Sequence, residues 1–198
     1  MALTKVQIIS NAISILGHKP ISTLDEGDSL IVAAEQAFNM LLPSVLCQSN
    51  WRFAVQIQQL SQTVETLPSA IRWQYVYLLP ADFLKNIRLY PQTYEYEIYE
   101  NRKIYTNFSG EAYMEYVFQP DISLLPPYFV NYFVFEVAAY LALSNAQKPE
   151  YFNVIDSKRR LLQGMAAAAD AQNRPESSQV DFPVLSNRNI AGMTSNFS

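Results

Sequence analysis

A chain of 198 residues suits one domain with an insertion or appendage, and 49% apolar against 16% charged residues is a composition that folds. A formal net charge of −4 and a pI near 5.0 exclude a dedicated duplex-DNA binder, which needs clustered Lys and Arg to replace phosphate counterions. The single cysteine, Cys47, excludes an internal disulfide and any Cys-rich metal cage, and reads as a small core residue.

The opening MALTKVQIISNAISILG is not a signal peptide by pattern. Only Lys5 precedes its apolar part, Gln7, Ser10, Asn11 and Ser14 interrupt it, and no small-residue cleavage site follows. Thr4 is positioned as an N-cap, and Val6, Ile9, Ile13 and Leu16 then recur at helical spacing. Gly17 stops this first helix near residue 16 and Pro20 prevents its resumption. Asp28 or Ser29 caps a second helix through Ala34, Phe38, Leu41 and Val45, finishing near Ser49 and Asn50. Pro43 lies inside it and predicts a kink or break.

From Trp51 the period falls to two. WRFAVQIQQL alternates through Trp51, Phe53, Val55 and Ile57, and WQYVYLL through Trp73, Tyr75 and Tyr77. Pro80 and Asp82 mark a turn before FLKNIRLY. Residues 94–119 read as a three-strand meander, turning at Glu100 to Arg102 and near Ser109 and Gly110, with Tyr94, Tyr96 and Ile98 on a packed face and Glu95 and Glu97 on a wet one. The 13 Tyr and 11 Phe against 2 Trp suit such strands, and also subunit interfaces.

Pro126 and Pro127 open a third helix, PYFVNYFVFEVAAYLALSNAQ, which is apolar nearly all round and so reads as the most buried; Lys148 and Pro149 end it. A fourth helix follows, with Tyr151, Ile155, Leu162 and the alanine run inward, and with Lys158, Arg159 and Arg160 fanned around the axis as a solvated stripe. No stretch is read as reaching the roughly 18 apolar residues needed to span a bilayer, so a soluble protein is expected. After about Gln172 the composition turns to Ser, Asn and Pro, yet Phe182, Val184, Leu185, Ile190, Met193 and Phe197 recur along it. Such a segment is either a disordered terminus or an arm that orders on a partner.

Tests for chemistry select little. His18, the only histidine, lies just beyond a helix end, and Cys47 has no nearby positive charge in sequence. Five glycines make no phosphate loop. Asp25, Glu26 and Asp28 lack the alternation of a calcium loop, and read as a helix cap with two acidic neighbours favoured by the helix dipole. Glu95, Glu97, Glu111 and Glu115 could face one another across strands as a glycosidase pair, although nothing selects which two.

Several stretches together resemble the head-to-tail adaptor (connector) family of tailed bacteriophages, of the tail tubular protein A type of short-tailed phages. They are NAISILGHKPISTLDEGDS, with its helix, glycine, proline and acidic loop; NWRFA, leaving the second helix; YVYLLPADFLKNIRLY; and YVFQPDISLLPPYFVNYFVFEVAAYLA. The likeness runs from residue 4 to about residue 170, and rests on order and spacing rather than on one motif.

The resemblance implies an α+β chain: a four-helix bundle from 1–50 and 120–172, an antiparallel β-rich insertion at 51–119 between helices 2 and 3, and an extended C-terminal arm at 173–198. It further implies a non-enzymatic virion protein at the head–tail junction, assembled from the host cytoplasm as a homo-oligomeric ring of about twelve copies. The ring would extend the DNA channel for genome ejection without reading sequence, contact neither membrane nor cofactor nor metal, and carry the downstream tail or nozzle proteins. The arm, with Phe182, Val184, Leu185, Ile190, Met193 and Phe197, is the expected portal-binding element, and Gly17, Pro20 and Asp28 the expected structural corner. Rival expectations are a stopper or tail-tube ring, and a polysaccharide-degrading virion enzyme.

Overall fold

The computed structural model describes residues 3–24, 28–65, 67–100, 102–144 and 149–173. Asp25, Glu26, Lys148 and the six expected arm residues lie outside them.

The first helix, α1 (Lys5–Ile15), begins at a capping box: Thr4 Oγ1 accepts from the Gln7 N–H while Gln7 Oε1 accepts from the Thr4 N–H. Helix α2 (Ser29–Gln48) starts at Asp28, whose Oδ1 accepts from the Leu30 N–H at 2.8 Å. The expected break at Pro43 does not occur, and α2 continues through it. The ring removes the N–H that would bond the Asn39 carbonyl, and Asn39 stands at an exposed position of the helix. Of the described helices, α2 alone is long and apolar enough to match a membrane span, but Ile31, Ala34, Phe38, Leu42 and Val45 are buried in the core.

The period-two reading fails at Trp51. Residues Arg52–Ala54 form a turn of 3-10 helix, and the strand begins only at Val55. Trp51 is instead buried among the helices, edge-on to Phe129 at 5.2 Å, with its Nε1–H donated to the Val45 carbonyl. Lys85 Nζ reaches the Cys47 carbonyl at 3.1 Å and Asn50 Oδ1 at 3.2 Å, so the end of α2 is satisfied from a strand. Cys47 itself is only half-buried.

All described strands are antiparallel and lie in two sheets. One has the order β1 (Val55–Gln59), β7 (Tyr113–Phe118), β4 (Phe83–Tyr90); the other β2 (Ser61–Gln62), β3 (Tyr75–Leu78), β6 (Lys103–Thr106), β5 (Tyr96–Tyr99). The expected meander is therefore cut. Strands β5 and β6 pair, but β7 crosses into the other sheet, between β1 and β4. Burial explains the crossing: Met114 and Tyr116 enter the second apolar cluster with Leu60, Tyr77, Leu89 and Ile104, while the opposite face of β7 puts Val117 into the helical core. A strand needed by two cores cannot remain an edge of one hairpin.

Helix α3 (Pro127–Ser144) begins with Pro127 at its first position and contacts α1, α2 and α4 (Pro149–Gln172). Phe129, Tyr132, Phe133, Val137 and Ala138 have no exposed surface, and Phe38 meets the Phe133 ring edge-on at 5.2 Å. On α4 the inward set is Phe152, Ile155, Leu162 and Ala166. Tyr151, expected inside, is 52% exposed, and Ala167 and Ala168 also face outward. The described chain is thus a mixed α+β protein with four helices and antiparallel sheets.

Candidate functional site

The α1–α2 corner is built by local backbone chemistry. Gly17 has φ +84°, the left-handed region that glycine enters without penalty. That turn sends the Gly17 N–H to the Ser14 carbonyl at 3.0 Å and the His18 N–H to the Ile13 carbonyl at 3.3 Å, a Schellman termination. The chain then returns along α1, where the buried Ser10 hydroxyl accepts from the Ile21 N–H at 3.0 Å and Ile21 and Leu24 lean on the core. His18, Pro20 and Asp28 are exposed, and Asp28 serves as the α2 cap.

Two acidic anchors, Asp170 buried and Asp82 exposed, tie distant segments together. Asp170, near the end of α4, is 6% exposed; its Oδ2 accepts from the Arg52 N–H and its Oδ1 from the Tyr128 hydroxyl, each at 2.8 Å. The 3-10 turn after Trp51 has no cap of its own, so Asp170 serves as its N-cap from another helix. Burial, then the Asp170 carboxylate, push the Tyr128 phenol well above its ordinary range. Asp170 carries no local sequence signal, since its partner N–H lies 118 residues away.

The second anchor is Asp82, the aspartate of the Pro-Ala-Asp turn. Its Oδ1 accepts from the Tyr116 hydroxyl at 2.8 Å and its Oδ2 from Gln56 Nε2 at 2.9 Å. Tyr116 is fully buried, and burial together with Asp82 pushes its phenol up to about 12.

The carboxylates weighed as a glycosidase pair each bond a different donor. Glu95 takes Arg72, Glu97 takes Trp73 and Tyr99, Glu111 takes Tyr113, and Glu115 takes Tyr90. Among the described residues, no group of three His, Cys, Asp or Glu side chains is placed to hold a metal ion. Arg159 also departs from its expected solvated role: it bridges α4 to α3, bonding Glu136 at 3.0 Å and Asp156 at 2.7 Å. Arg160 binds the other oxygen of Asp156. The Arg159 hydrogen bonds lead in holding the Asp156 carboxyl below its usual range.

Clefts and a scatter of exposed apolar side chains are also present among the described residues, and two of the clefts are lined as follows. The larger cleft, about 580 Å³, lies under the loop from Gln62 to Tyr75, where Arg72 stacks 4.1 Å from the Trp73 ring. The smaller, about 210 Å³, opens beside Trp51, Arg52 and Asp170, against Ala167 and Ala171 of α4. Ile57 on β1 and Tyr113 on β7 lie exposed at one end of the first-sheet face whose other end carries the buried Val117, and Val154, Leu161 and Met165 lie exposed on α4. Compared with known protein families and with curated proteins, the sequence matches no family model and no curated protein.

Proposed function

We propose that this chain is a structural head-to-tail adaptor of a tailed-phage virion. In this reading it is a four-helix bundle with an antiparallel β-rich insertion, and it closes into a ring of about twelve copies. The ring docks on the portal through residues 173–198, continues the DNA channel, and presents its lower face to tail components.

The observation that carries the reading is the order of parts: two capped helices, an antiparallel segment between Val55 and Phe118, two further helices, then an apolar-spotted segment. That order coincides with the stretches that resemble the adaptor family. Three physical points support it. An acidic subunit with a net charge of −4 does not retard DNA moving through a lumen. A ring built by rotation needs two different contact faces on each subunit, and the exposed end of the first sheet at Ile57 and Tyr113 and the exposed side of α4 are separate candidates. The Trp51 turn, pinned by Asp170 to α4, couples helices to sheets, as a load-carrying ring subunit requires.

The test is co-assembly with a candidate portal protein, read by electron microscopy. A ring with a central channel on the portal is expected, and a chain lacking residues 173–198 should fold but fail to bind. Undiminished binding by the shortened chain would remove the arm's assigned role.

A further inference from the structure

Among the described strands four stand at sheet edges, β1 and β4 in the first sheet and β2 and β5 in the second. An edge strand offers unpaired N–H and C=O groups to any other strand, and folded chains blunt it with charge, brevity or a bulge. Three of the four edges are treated in this way. Strand β4 carries Lys85 and Arg88 and two register shifts, β5 holds Glu97 in a length of four residues, and β2 has only two residues. Strand β1 has none of these devices. It runs in unbroken register along β7 for five residues, and from Phe53 to Val64 the chain holds no charge, proline or glycine. Ile57, in its middle, is 60% exposed, and Gln58 and Gln59 are exposed beside it.

We propose that β1 pairs with β1 of a second copy of this chain, antiparallel about a two-fold axis at Ile57, so that two three-stranded sheets become one of six strands. The side chains select this occupant. A two-fold at Ile57 sets Gln56 opposite Gln58 of the second copy, and the reverse. Gln56 donates its Nε2 to Asp82 and Tyr116, and its Oε1 has no partner among the described residues. Gln58 accepts from the Tyr116 hydroxyl at Oε1, and its Nε2 has no partner among them either. The free donor of one glutamine therefore meets the free acceptor of the other, twice across the axis.

On the opposite face of the strand Ile57 meets Ile57 of the second copy, and an exposed apolar side chain gains an apolar neighbour. No like charges are brought together, whereas two β4 strands would gather Lys85 and Arg88 of both copies at one seam. Five residues a side is a small part of the roughly 20–30 a side in a standard interface, so the pair is reversible and dissociates on dilution.

The consequence is protection of the unblunted edge in the free chain. A two-fold pair closes on itself and builds no ring. It also covers the Ile57 end of the sheet, so a ring contact made there has to release it. The pairing rests on the edge of β1 and goes beyond the adaptor reading, whose failure would leave it standing.

The experiment uses the full chain. In a Cys47→Ser background, Ile57→Cys sets two thiols opposite each other across the axis, at the roughly 5 Å Cα separation that a disulfide spans, while Gln59→Cys sets them about 14 Å apart. Under mild oxidation at about 1 mM chain, Ile57→Cys is expected to link two copies about tenfold or more faster than Gln59→Cys. Sedimentation of the unaltered chain is expected to show a pair that dissociates on dilution and is absent in Ile57→Lys, a charge placed at an exposed edge position. Equal linking rates, no linking, a monomer throughout the dilution series, or a pair that survives Ile57→Lys would overturn the proposal. The dilution series needs no variant, so it decides even where one fails to fold.

Discussion

Replacing Asp170 by Ala should destabilise the fold more than its place near a helix end implies. The substitution strips the acceptor from two groups at once, the Arg52 N–H and the Tyr128 hydroxyl, both bonded at 2.8 Å beside a side chain that is 6% exposed. An orphaned buried donor costs about 1–3 kcal/mol. The adjoining cleft of about 210 Å³ admits water to part of the site, which moves each cost toward the lower end. The sum is about 2–4 kcal/mol, or roughly 5–12 °C in Tm for a chain of this size.

Tyr128→Phe removes only one bond and should cost about 1–1.5 kcal/mol. The Asp170→Ala and Tyr128→Phe changes should be clearly non-additive, because the first already abolishes what the second removes. Urea titrations of the four chains of this double-mutant cycle give the values directly. An Asp170→Ala midpoint within about 0.5 kcal/mol of the parent would refute the anchor, since that is the range of an ordinary surface change.

Three further outcomes follow from the same geometry. Gly17→Ala should cost about 1–2 kcal/mol from left-handed backbone strain alone, since no atom lies within 4 Å of the added carbon; Gly17→Asn should recover part of it, as thermal melts would show. Asp28→Ala should lose about 1 kcal/mol of capping while His18→Ala changes little, and the reverse order in the same melts would reopen a role for His18. The Tyr116 phenol, raised from its ordinary 10 to about 12, makes stability that is complete below pH 10 and lost as pH rises through about 12, because the unfolded chain releases its proton first. Tyr116→Phe should flatten the decline measured over that window, and an unchanged slope would contradict the burial of that hydroxyl.

What the sequence disclosed was local. Thr4, Gly17, Asp28 and Pro127 act on backbone groups within four residues of themselves, so their signals needed no knowledge of the fold. Trp51 and Phe53 misled because alternating aromatics look alike whether they line a strand or plug a helical core; here Phe53 lies 4.9 Å from Phe129. The crossing of β7 was hidden for another reason. Strand order is decided by which two cores share Val117 and Tyr116, a non-local matter that period cannot express. Arg159 looked like one of three solvated cations until Glu136, 23 residues earlier, came to face it. Asp170 gave no signal at all, as a lone acid after an alanine run normally belongs to solvent.

The proposed ring is decided by mixing the full chain with a candidate portal protein and imaging the product by electron microscopy. A closed ring of this chain, seated on the portal and surrounding a channel wide enough for duplex DNA, is expected. A chain that remains monomeric and unbound beside an intact portal ring would contradict it.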